Sequence, residues 1–264
     1  MSKEKIWFVT GASRGFGRTW TEAILAKGDC VVATVRDVST MSPLVEQYGD
    51  RVLPVRLDVL ERQRSVEAVK EATDRFGRID VVINNAGYCL AGALEEIQED
   101  DARSLFDTNV FGALWVTQAV LPVMRAQGSG HIMAVSSVSG LMGQPAIGMY
   151  NSSKWALEGM FEALSKEVAA FGIKVTIVEP SVFATEFKSA ASMRRSPPNS
   201  AYDHARQLLY SSLGAEPVHD PSTSVGPILA LADDDNPPLR LLLGETAIRW
   251  AVGAYGRRIA SWGV

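Results

Sequence analysis

The sequence predicts an α/β fold, doubly wound, with a mostly parallel seven-stranded sheet and helices on both faces. Short continuous apolar runs, such as residues 6–9, are typical of strands buried on both faces. Longer segments with helical periodicity, such as residues 61–76, separate these runs. Because the two patterns alternate along the chain, we expect βαβ units. No linker or internal repeat interrupts residues 1–264, so we expect a single domain.

The predicted elements follow one another in a regular order. Strands are predicted at residues 6–9, 31–35, 52–57, 81–83, 131–135, 175–178 and 239–243. Helices are predicted from the first glycine-rich stretch to residue 27, and at residues 42–48, 61–76, 99–126, 150–171, 227–232 and 247–260. Gly77 is expected to cap the third of these helices, and Pro122 is expected to kink or shorten the fourth.

The periodic pattern fails between residues 181 and 225. The Arg-Arg-Ser-Pro-Pro-Asn-Ser stretch at 194–200 is typical of a loop. A loop-rich stretch of this length in a compact domain usually covers an active site or is partly disordered. We therefore expect residues 181–225 to form a substrate-covering segment within the single domain.

Composition and charge exclude several classes of function. The net charge is −4 and no basic tract is present, which argues against a nucleic-acid partner. No apolar run reaches the ~18 residues of a membrane span, and the N-terminal stretch lacks the pattern of a signal peptide. The two cysteines form no C-x-x-C pair, and the three histidines lack metal-ligand spacing. The sequence therefore predicts a soluble cytoplasmic protein without a metal, a membrane association or a nucleic-acid partner.

Gly11, Gly15 and Gly17 lie between the first predicted strand and the helix that follows it. Glycine permits a sharp turn and lets a pyrophosphate approach the backbone closely, and the free N–H groups at a helix start bind anions. Such a trio also occurs in ordinary tight turns. Its position after the first strand of a βαβ unit nevertheless predicts a dinucleotide site.

Tyr150 and Lys154 are four residues apart, so on a helix they share one face. A neighbouring ammonium favours phenolate and lowers the pKa of a tyrosine. A tyrosine adjusted in this way exchanges a proton with a carbonyl or alcohol oxygen. By itself the pair is also typical of a solvated or half-buried helix surface. The glycine-rich stretch in the same chain favours the catalytic interpretation, because it predicts a bound nucleotide.

Five motifs occur together and in order. They are Thr-Gly-x-x-x-Gly-x-Gly at 10–17, Asn-Asn-Ala-Gly at 84–87, Asn109 in Asn-Val-Phe-Gly, Ser137, and Tyr-x-x-x-Lys at 150–154. In this combination the sequence resembles the short-chain dehydrogenase/reductase family over residues 5–185. The resemblance implies a Rossmann fold that binds a nicotinamide cofactor and a small-molecule carbonyl or alcohol substrate.

The resemblance also implies a role for each matching residue. Tyr150 would be the general acid in reduction and the general base in oxidation. Lys154 would hold the nicotinamide ribose and lower the pKa of Tyr150, and Ser137 would hydrogen-bond the substrate oxygen. Asn109 would anchor a water that relays protons from Lys154. Taken singly, Ser137 is an ordinary hydroxyl at a strand end, and Asn109 is an ordinary helix irregularity.

Cofactor choice depends on the residues at the end of the second predicted strand. Val35 occupies the position where an acidic residue would bind a ribose 2′-hydroxyl, and Arg36 follows it. Two guanidiniums, from Arg14 and Arg36, suit a 2′-phosphate. This predicts NADP(H); NAD(H) is the alternative if Asp37 reaches the ribose. The expected cofactor contacts are Gly11, Ser13, Arg14, Gly15, Phe16, Gly17, Arg36, Asp58, Val59, Asn85, Ala86, Gly87, Tyr150, Lys154, Pro180, Val182 and Thr185.

Apolar side chains flank the expected site, which indicates a bulky hydrophobic carbonyl or alcohol. The expected substrate contacts are Ser137, Tyr88, Met142, Met149, Tyr150, Phe183 and Phe187. One position departs from the family pattern: Ser181 follows Pro180 where the family usually has glycine. Either the nicotinamide sits differently there, or the backbone at this position needs no positive φ.

The main functional prediction is an NADP(H)-dependent oxidoreductase that interconverts a secondary alcohol and a ketone. Two alternatives stay open: an isomerase, epimerase or lyase that uses the same tyrosine without net redox change, and a non-catalytic nucleotide-binding sensor. The helices near 100–125 and 151–171 resemble those that pair family members. The resemblance therefore implies a homodimer or homotetramer.

Overall fold

A parallel sheet of seven strands forms the centre of the computed structural model, which describes residues 4–185 and 192–263. In sequence order the strands of the chain are β1 (Ile6–Thr10), β2 (Cys30–Val35), β3 (Val52–Arg56), β4 (Val81–Asn84), β5 (Cys89–Ala91), β6 (Gly130–Val135), β7 (Ile173–Pro180), β8 (Met193–Arg195) and β9 (Arg240–Leu243). The central sheet has the order β3-β2-β1-β4-β6-β7-β9, and each neighbouring pair in it is parallel. The predicted fold class is confirmed.

Helices cover both faces of this sheet. They are α1 (Gly15–Lys27), α2 (Ser42–Tyr48), α3 (Arg62–Phe76), α4 (Glu99–Phe106), α5 (Gly112–Gln127), α6 (Gly148–Val168), α7 (Asp203–Gly214), α8 (Val225–Asp233) and α9 (Glu245–Ser261). In the described parts of the chain, no helix combines the length and the hydropathy needed to cross a membrane.

Strand side chains alternate between two apolar layers. Phe8 on β1 packs in one layer with side chains of α3, α5 and α6, and its neighbour Trp7 packs in the other with side chains of α1 and α8. Both aromatic side chains are fully buried. Because each strand is covered on both faces, its sequence is continuously apolar rather than alternating.

The strand order reverses beside β1, which lies between β2 and β4. In open α/β sheets, ligands bind outside the carboxyl ends of the strands at such a reversal. The residues that follow β1, β4, β6 and β7 at this edge include Gly11, Asn85, Ser137 and Ser181. The topology therefore brings together motifs that are far apart in the sequence.

Two parts of the fold differ from the sequence predictions. The long helix expected at 99–126 is divided into α4 and α5 by a π-helical turn, Asp107–Phe111, and α5 continues past Pro122 to Gln127. The stretch expected to be loop-rich, residues 181–225, contains the strand β8 and the helix α7. β8 pairs in parallel with β5 in a second, two-stranded sheet.

Candidate active site

The turn between β1 and α1 requires each of its three glycines for a physical reason. Gly11 and Gly15 have φ values of +66° and +53°, which side chains rarely adopt. Gly17 is restricted by space instead, because a Cβ there would lie 2.6 Å from Asn85 Nδ2 and would collide with the carbonyl oxygen of Gly11. At Gly15 a Cβ would point at Thr185, 3.7 Å from its Cβ. That distance is an ordinary van der Waals contact, so Gly15 is required for its positive φ rather than for space.

Asn85 joins this turn to the end of β4. Its Nδ2 donates to the carbonyl oxygens of Thr10 at 2.9 Å and Gly11 at 3.2 Å. In return, the Thr10 hydroxyl accepts from the backbone N–H groups of Asn85 at 2.9 Å and Ala86 at 3.0 Å. These four hydrogen bonds fix the two strand ends to each other. Asn85 therefore shapes the cofactor cleft as well as lining it.

Tyr150 and Lys154 lie on α6 and face the carboxyl end of β6. Each is 6% exposed. Lys154 Nζ donates to the carbonyl oxygen of Val135 at 2.8 Å and lies 5.7 Å from the centre of the Tyr150 ring. Ser137, two residues beyond β6, makes a side-chain hydrogen bond with Tyr150, and its Oγ also accepts from the backbone of Ser139 at 3.1 Å. The phenol, the ammonium and the serine hydroxyl thus meet at one point of the cleft.

Burial controls the proton affinities of this group. Loss of solvent raises the pKa of Tyr150 above its ordinary value, although the hydrogen bond with Ser137 acts in the opposite direction. Loss of solvent also lowers the pKa of Lys154 to about 8, and the nearby Cys89 and Glu158 oppose that change. The lowering of the Tyr150 pKa that the resemblance implied is therefore not produced by the chain alone, because desolvation of the phenolate outweighs the hydrogen bond with Ser137.

Asn109 lies in the π-helical turn between α4 and α5, and its side chain is buried. Its Oδ1 accepts from the backbone N–H of Tyr88 at 3.0 Å, and its Nδ2 donates to the Tyr88 carbonyl at 2.9 Å and to Ser153 Oγ at 3.1 Å. The side chain thus connects the start of β5 to α6, one residue before Lys154. All three of these hydrogen bonds are made by the side-chain amide of Asn109, to protein groups. The role of Asn109 as a water anchor stays a prediction.

A cleft of about 540 Å³ runs from the glycine-rich turn to Tyr150 and beyond. Of the expected cofactor contacts, sixteen of the seventeen line it, and Gly17 lies buried beneath the turn. Among the expected substrate contacts, Ser137, Tyr88, Tyr150 and Phe183 line it. Met149 packs elsewhere with Tyr88 and Leu90, Met142 is not among the described lining residues, and Phe187 lies outside the described residues.

The far end of the cleft has walls that the sequence reasoning missed. They come from β5, β8, α7, α9 and the residue before α6, and include Cys89, Ala91, Ile147, Met193, Arg194, Arg195, Leu209, Tyr210, Leu213 and Trp250. A signal for α7 was present, because Leu209 and Leu213 are spaced like one face of a helix. The Pro-Pro pair just before it favoured a loop.

Two positions near the cofactor end bear on alternatives that the sequence left open. Ser181 does not have a positive φ; in the described ranges, Ala146 is the one non-glycine residue that does. The backbone at 181 therefore needs no glycine. Asp37 caps the short turn Val38–Met41, where its Oδ1 accepts from Ser39 N at 3.0 Å and Ser39 Oγ at 2.7 Å. Arg36 is exposed and lines the cleft.

Comparison with known proteins identifies the family. The family model described as short chain dehydrogenase matches residues 5–195. This chain belongs to the short-chain dehydrogenase/reductase family. The oxidoreductase BOA17 of Botryotinia fuckeliana (strain B05.10) is 42% identical to this chain over 252 residues. The match covers 94% of this chain and 91% of that protein. A short-chain dehydrogenase from Streptomyces avermitilis has a TM-score of 0.91 at 38% identity, and the match covers 99% of this chain and 95% of that one.

Solved structures with the same fold hold nicotinamide cofactors. A short chain dehydrogenase from Burkholderia cenocepacia J2315 in complex with NADP has a TM-score of 0.79 and 27% identity, and the match covers 98% of this chain and 97% of that one. A short chain dehydrogenase/reductase from Burkholderia phymatum in complex with NAD has a TM-score of 0.81, and the match covers 94% of this chain and 92% of that one. At 24% identity, the second likeness shows the fold alone. Both forms of the cofactor therefore occur on this fold.

Proposed function

We propose that this member of the short-chain dehydrogenase/reductase family is an NADP(H)-dependent oxidoreductase that interconverts a secondary alcohol and a ketone on a bulky hydrophobic substrate. One observation carries the proposal. Tyr150 is buried, hydrogen-bonded with Ser137 and one helical turn from Lys154, on the wall of the cleft that begins at the glycine-rich turn. A sensor that only binds a nucleotide has no need for this arrangement.

The chain's own residues account for proton transfer and charge stabilisation. Reduction of a carbonyl builds negative charge on its oxygen, which the Ser137 and Tyr150 hydroxyls stabilise by hydrogen bonds. Tyr150 then donates its proton to that oxygen, and in oxidation it accepts the proton of the alcohol. Lys154 is protonated below about pH 8 and stabilises the phenolate that is left after donation. A bound nicotinamide supplies or accepts the hydride.

The preference for NADP(H) rests on the two residues after β2. Arg36 lines the cleft, and no carboxylate of the described residues lies within 4.0 Å of its guanidinium, whereas the carboxylate of Asp37 is engaged by Ser39. An aspartate that caps a turn is a poor ligand for a ribose diol, and a guanidinium suits a phosphate. Arg14 borders the same end of the cleft.

Replacement of the proposed acid tests the function. We expect Tyr150→Phe to lower kcat by about 100- to 10,000-fold, because a positioned general acid contributes that much, and to leave cofactor affinity nearly unchanged. A panel of hydrophobic ketones and alcohols with NADP(H) and NAD(H), followed at the nicotinamide absorbance band, measures the rate, and tryptophan fluorescence measures cofactor binding. Stoichiometric nicotinamide turnover would exclude an isomerase, epimerase or lyase.

The matched control is Tyr48→Phe, which removes a phenol hydroxyl on α2, outside the lining of the cleft. It should keep the wild-type rate. Full activity in Tyr150→Phe would overturn the assignment of Tyr150, and failure of the wild-type protein to turn over any carbonyl while binding the cofactor would favour the sensor.

Assembly and location stay predictions for this oxidoreductase. Phe111 at the start of α5 and Trp155 on α6 are 42% and 44% exposed, which supports a homodimer or homotetramer through these helices. Light scattering on the purified protein tests this, and a monomer at micromolar concentration would contradict it. A cytoplasmic location, tested by cell fractionation, rests on composition alone.

A further inference from the structure

The small sheet of β5 and β8 forms one side wall of the cleft beyond Tyr150. Its strands pair in parallel, with Cys89 opposite Met193, Leu90 opposite Arg194, and Ala91 opposite Arg195. Successive side chains of a strand point to opposite faces. Residues 89, 91, 193 and 195 therefore share one face of the wall, and residues 90 and 194 share the other.

Packing identifies which face lines the cleft. Cys89 packs in a cluster with Tyr150 and Leu209, and Ala91 and Met193 pack against that cluster. Leu90, on the opposite face, packs with Tyr88 and Leu105 in a separate cluster. Arg195 thus belongs to the face that carries the catalytic tyrosine.

Arg194 borders the cleft too, but its guanidinium is engaged on the other face. Its Cζ lies 4.7 Å from the centre of the Tyr88 ring, and its Nη1 lies 3.9 Å from Asp101 Oδ1. For Arg195, no carboxylate of the described residues lies within 4.0 Å of the guanidinium. Both arginines are exposed and line the cleft, but they differ in their partners: Arg194 contacts Tyr88 and Asp101, whereas Arg195 has no carboxylate partner among the described residues.

The charge of Arg195 acts within the cleft. Burial raises the pKa of the Cys89 thiol to about 12, and the positive charges of Lys154 and Arg195 both oppose that rise. Lys154 and Arg195 are therefore both close enough to Cys89 for their charges to act on it. Among the described lining residues, Asp58 is the sole carboxylate, and it follows β3 near the cofactor end. The substrate end is thus apolar, with positive charge at its rim.

We propose that Arg195 binds an oxyanion on the substrate, so that the substrate class is an amphipathic ketone or alcohol whose apolar body ends in a carboxylate or a phosphate. The proposal rests on the proposed function, because it places the reacting carbonyl at Tyr150. Arg195 lies opposite Ala91, two residues along the strand from Cys89. At about 3.3 Å a residue, this corresponds to roughly 7 Å. A guanidinium binds either oxyanion through two N–H groups at once.

Matched ketones test the proposal. The probes are 8-oxononanoate, its methyl ester, and 8-oxononyl phosphate, which share one apolar chain and differ in the terminal group. At low ionic strength we expect wild-type kcat/KM to be about tenfold higher for an anionic probe than for the ester, and the ratio to fall as salt is added. The carboxylate and phosphate arms identify which oxyanion the site prefers.

The variants separate the two arginines. Arg195→Leu should abolish the preference for the anionic probe while it keeps turnover of the ester, which also shows that the variant folds. Arg195→Lys should keep part of the preference, since it keeps the charge but loses the two-pronged geometry. Arg194→Leu, the neighbour on the other face, should keep the wild-type ratio of anionic to ester turnover.

Several outcomes would overturn the proposal: equal kcat/KM for the anionic probes and the ester in the wild-type protein, retention of the preference in Arg195→Leu, its loss in Arg194→Leu, or loss of ester turnover in Arg195→Leu. Calorimetry with nonanoate, which has no carbonyl, provides a readout without catalysis. If no ketone is turned over but Arg195→Leu still weakens nonanoate binding, the proposed function fails and the anion site stands.

Discussion

Tyr150 and Lys154 lie in the same desolvated part of the cleft, and burial moves their pKa values in opposite directions. Burial disfavours whichever form is charged, so it opposes both the phenolate and the ammonium. As pH rises, Lys154 loses its proton near pH 8, before Tyr150 does. The chain alone therefore holds Tyr150 as a proton donor, which suits reduction. To act as a base, Tyr150 requires additional positive charge nearby, such as that of an oxidised nicotinamide.

The proposed preference for a phosphorylated cofactor also depends on a single residue, Arg36. We expect Arg36→Asp to lower the ratio of kcat/KM with NADPH to kcat/KM with NADH by at least about tenfold. The variant loses a charge-assisted hydrogen bond, which contributes about 1.5–3 kcal/mol, and adds repulsion of the 2′-phosphate. Initial rates with both cofactors on one ketone give the ratio.

Arg56→Asp is the matched control for that measurement. Arg56 ends the neighbouring strand β3, opposite Val35, and its side chain is exposed and outside the described lining of the cleft. The change in net charge is the same, so a general electrostatic effect would appear in both variants. An unchanged cofactor ratio in Arg36→Asp would instead point to Arg14 or to a cofactor without the phosphate.

At the scale of elements, the sequence predicted what local pattern encodes. Buried parallel strands are continuously apolar, and a sharp turn with a positive φ or without space for a Cβ requires glycine. The seven strands and the cofactor turn could therefore be predicted from the sequence. The division of the long helix at Asp107–Phe111 could not be predicted in this way. A π-helical turn inserts one residue without changing composition, and the buried hydrogen bonds of Asn109 that accompany it are tertiary.

The substrate end of the site could not be predicted from the sequence for a related reason. β5 and β8 are short, and Cys89 pairs with Met193 from the opposite half of the chain, so no local periodicity indicates that they meet. Two of the expected contacts, Met142 and Met149, are not among the described residues that line the cleft. The structure instead forms this end from β5, β8 and α7, which include Arg195 and Leu209.

At the scale of the whole molecule, a buried group of charges joins the carboxyl-terminal strands to the catalytic helix. Glu158, one turn beyond Lys154 on α6, and Glu179, on β7, are both buried. Arg240 on β9 donates to Glu158 Oε2 at 3.2 Å, and its Nε lies 3.4 Å from Glu179 Oε1. Burial, and then the proximity of Glu158, raise the pKa of Glu179 to about 8. One guanidinium thus faces two carboxyl groups, and a proton is retained between them.

This group makes the stability of the protein depend on pH. The folded chain keeps the Glu179 proton up to about pH 8, whereas the unfolded chain releases it near the ordinary glutamate pKa of 4.5. The contribution of Glu179 is therefore fully present below pH 4.5 and is lost as pH rises through 8. Glutamine copies the neutral acid, so we expect Glu179→Gln to match the wild-type protein near pH 5 and to exceed it at pH 8.5 by about 2 kcal/mol. Urea unfolding followed by circular dichroism at both values measures the difference.

Glu162→Gln is the control, because the half-buried Glu162 on α6 accepts from the same guanidinium, from Arg240 Nη2 at 2.7 Å. The Arg240 hydrogen bond lowers the pKa of Glu162, so its contribution to stability is present at neutral pH and is lost as pH falls. The two substitutions should therefore act with opposite signs at pH 8.5. If Glu179→Gln destabilised the protein equally at pH 5 and pH 8.5, Glu179 would be an ionised partner of Arg240 throughout, and no proton would be shared with Glu158.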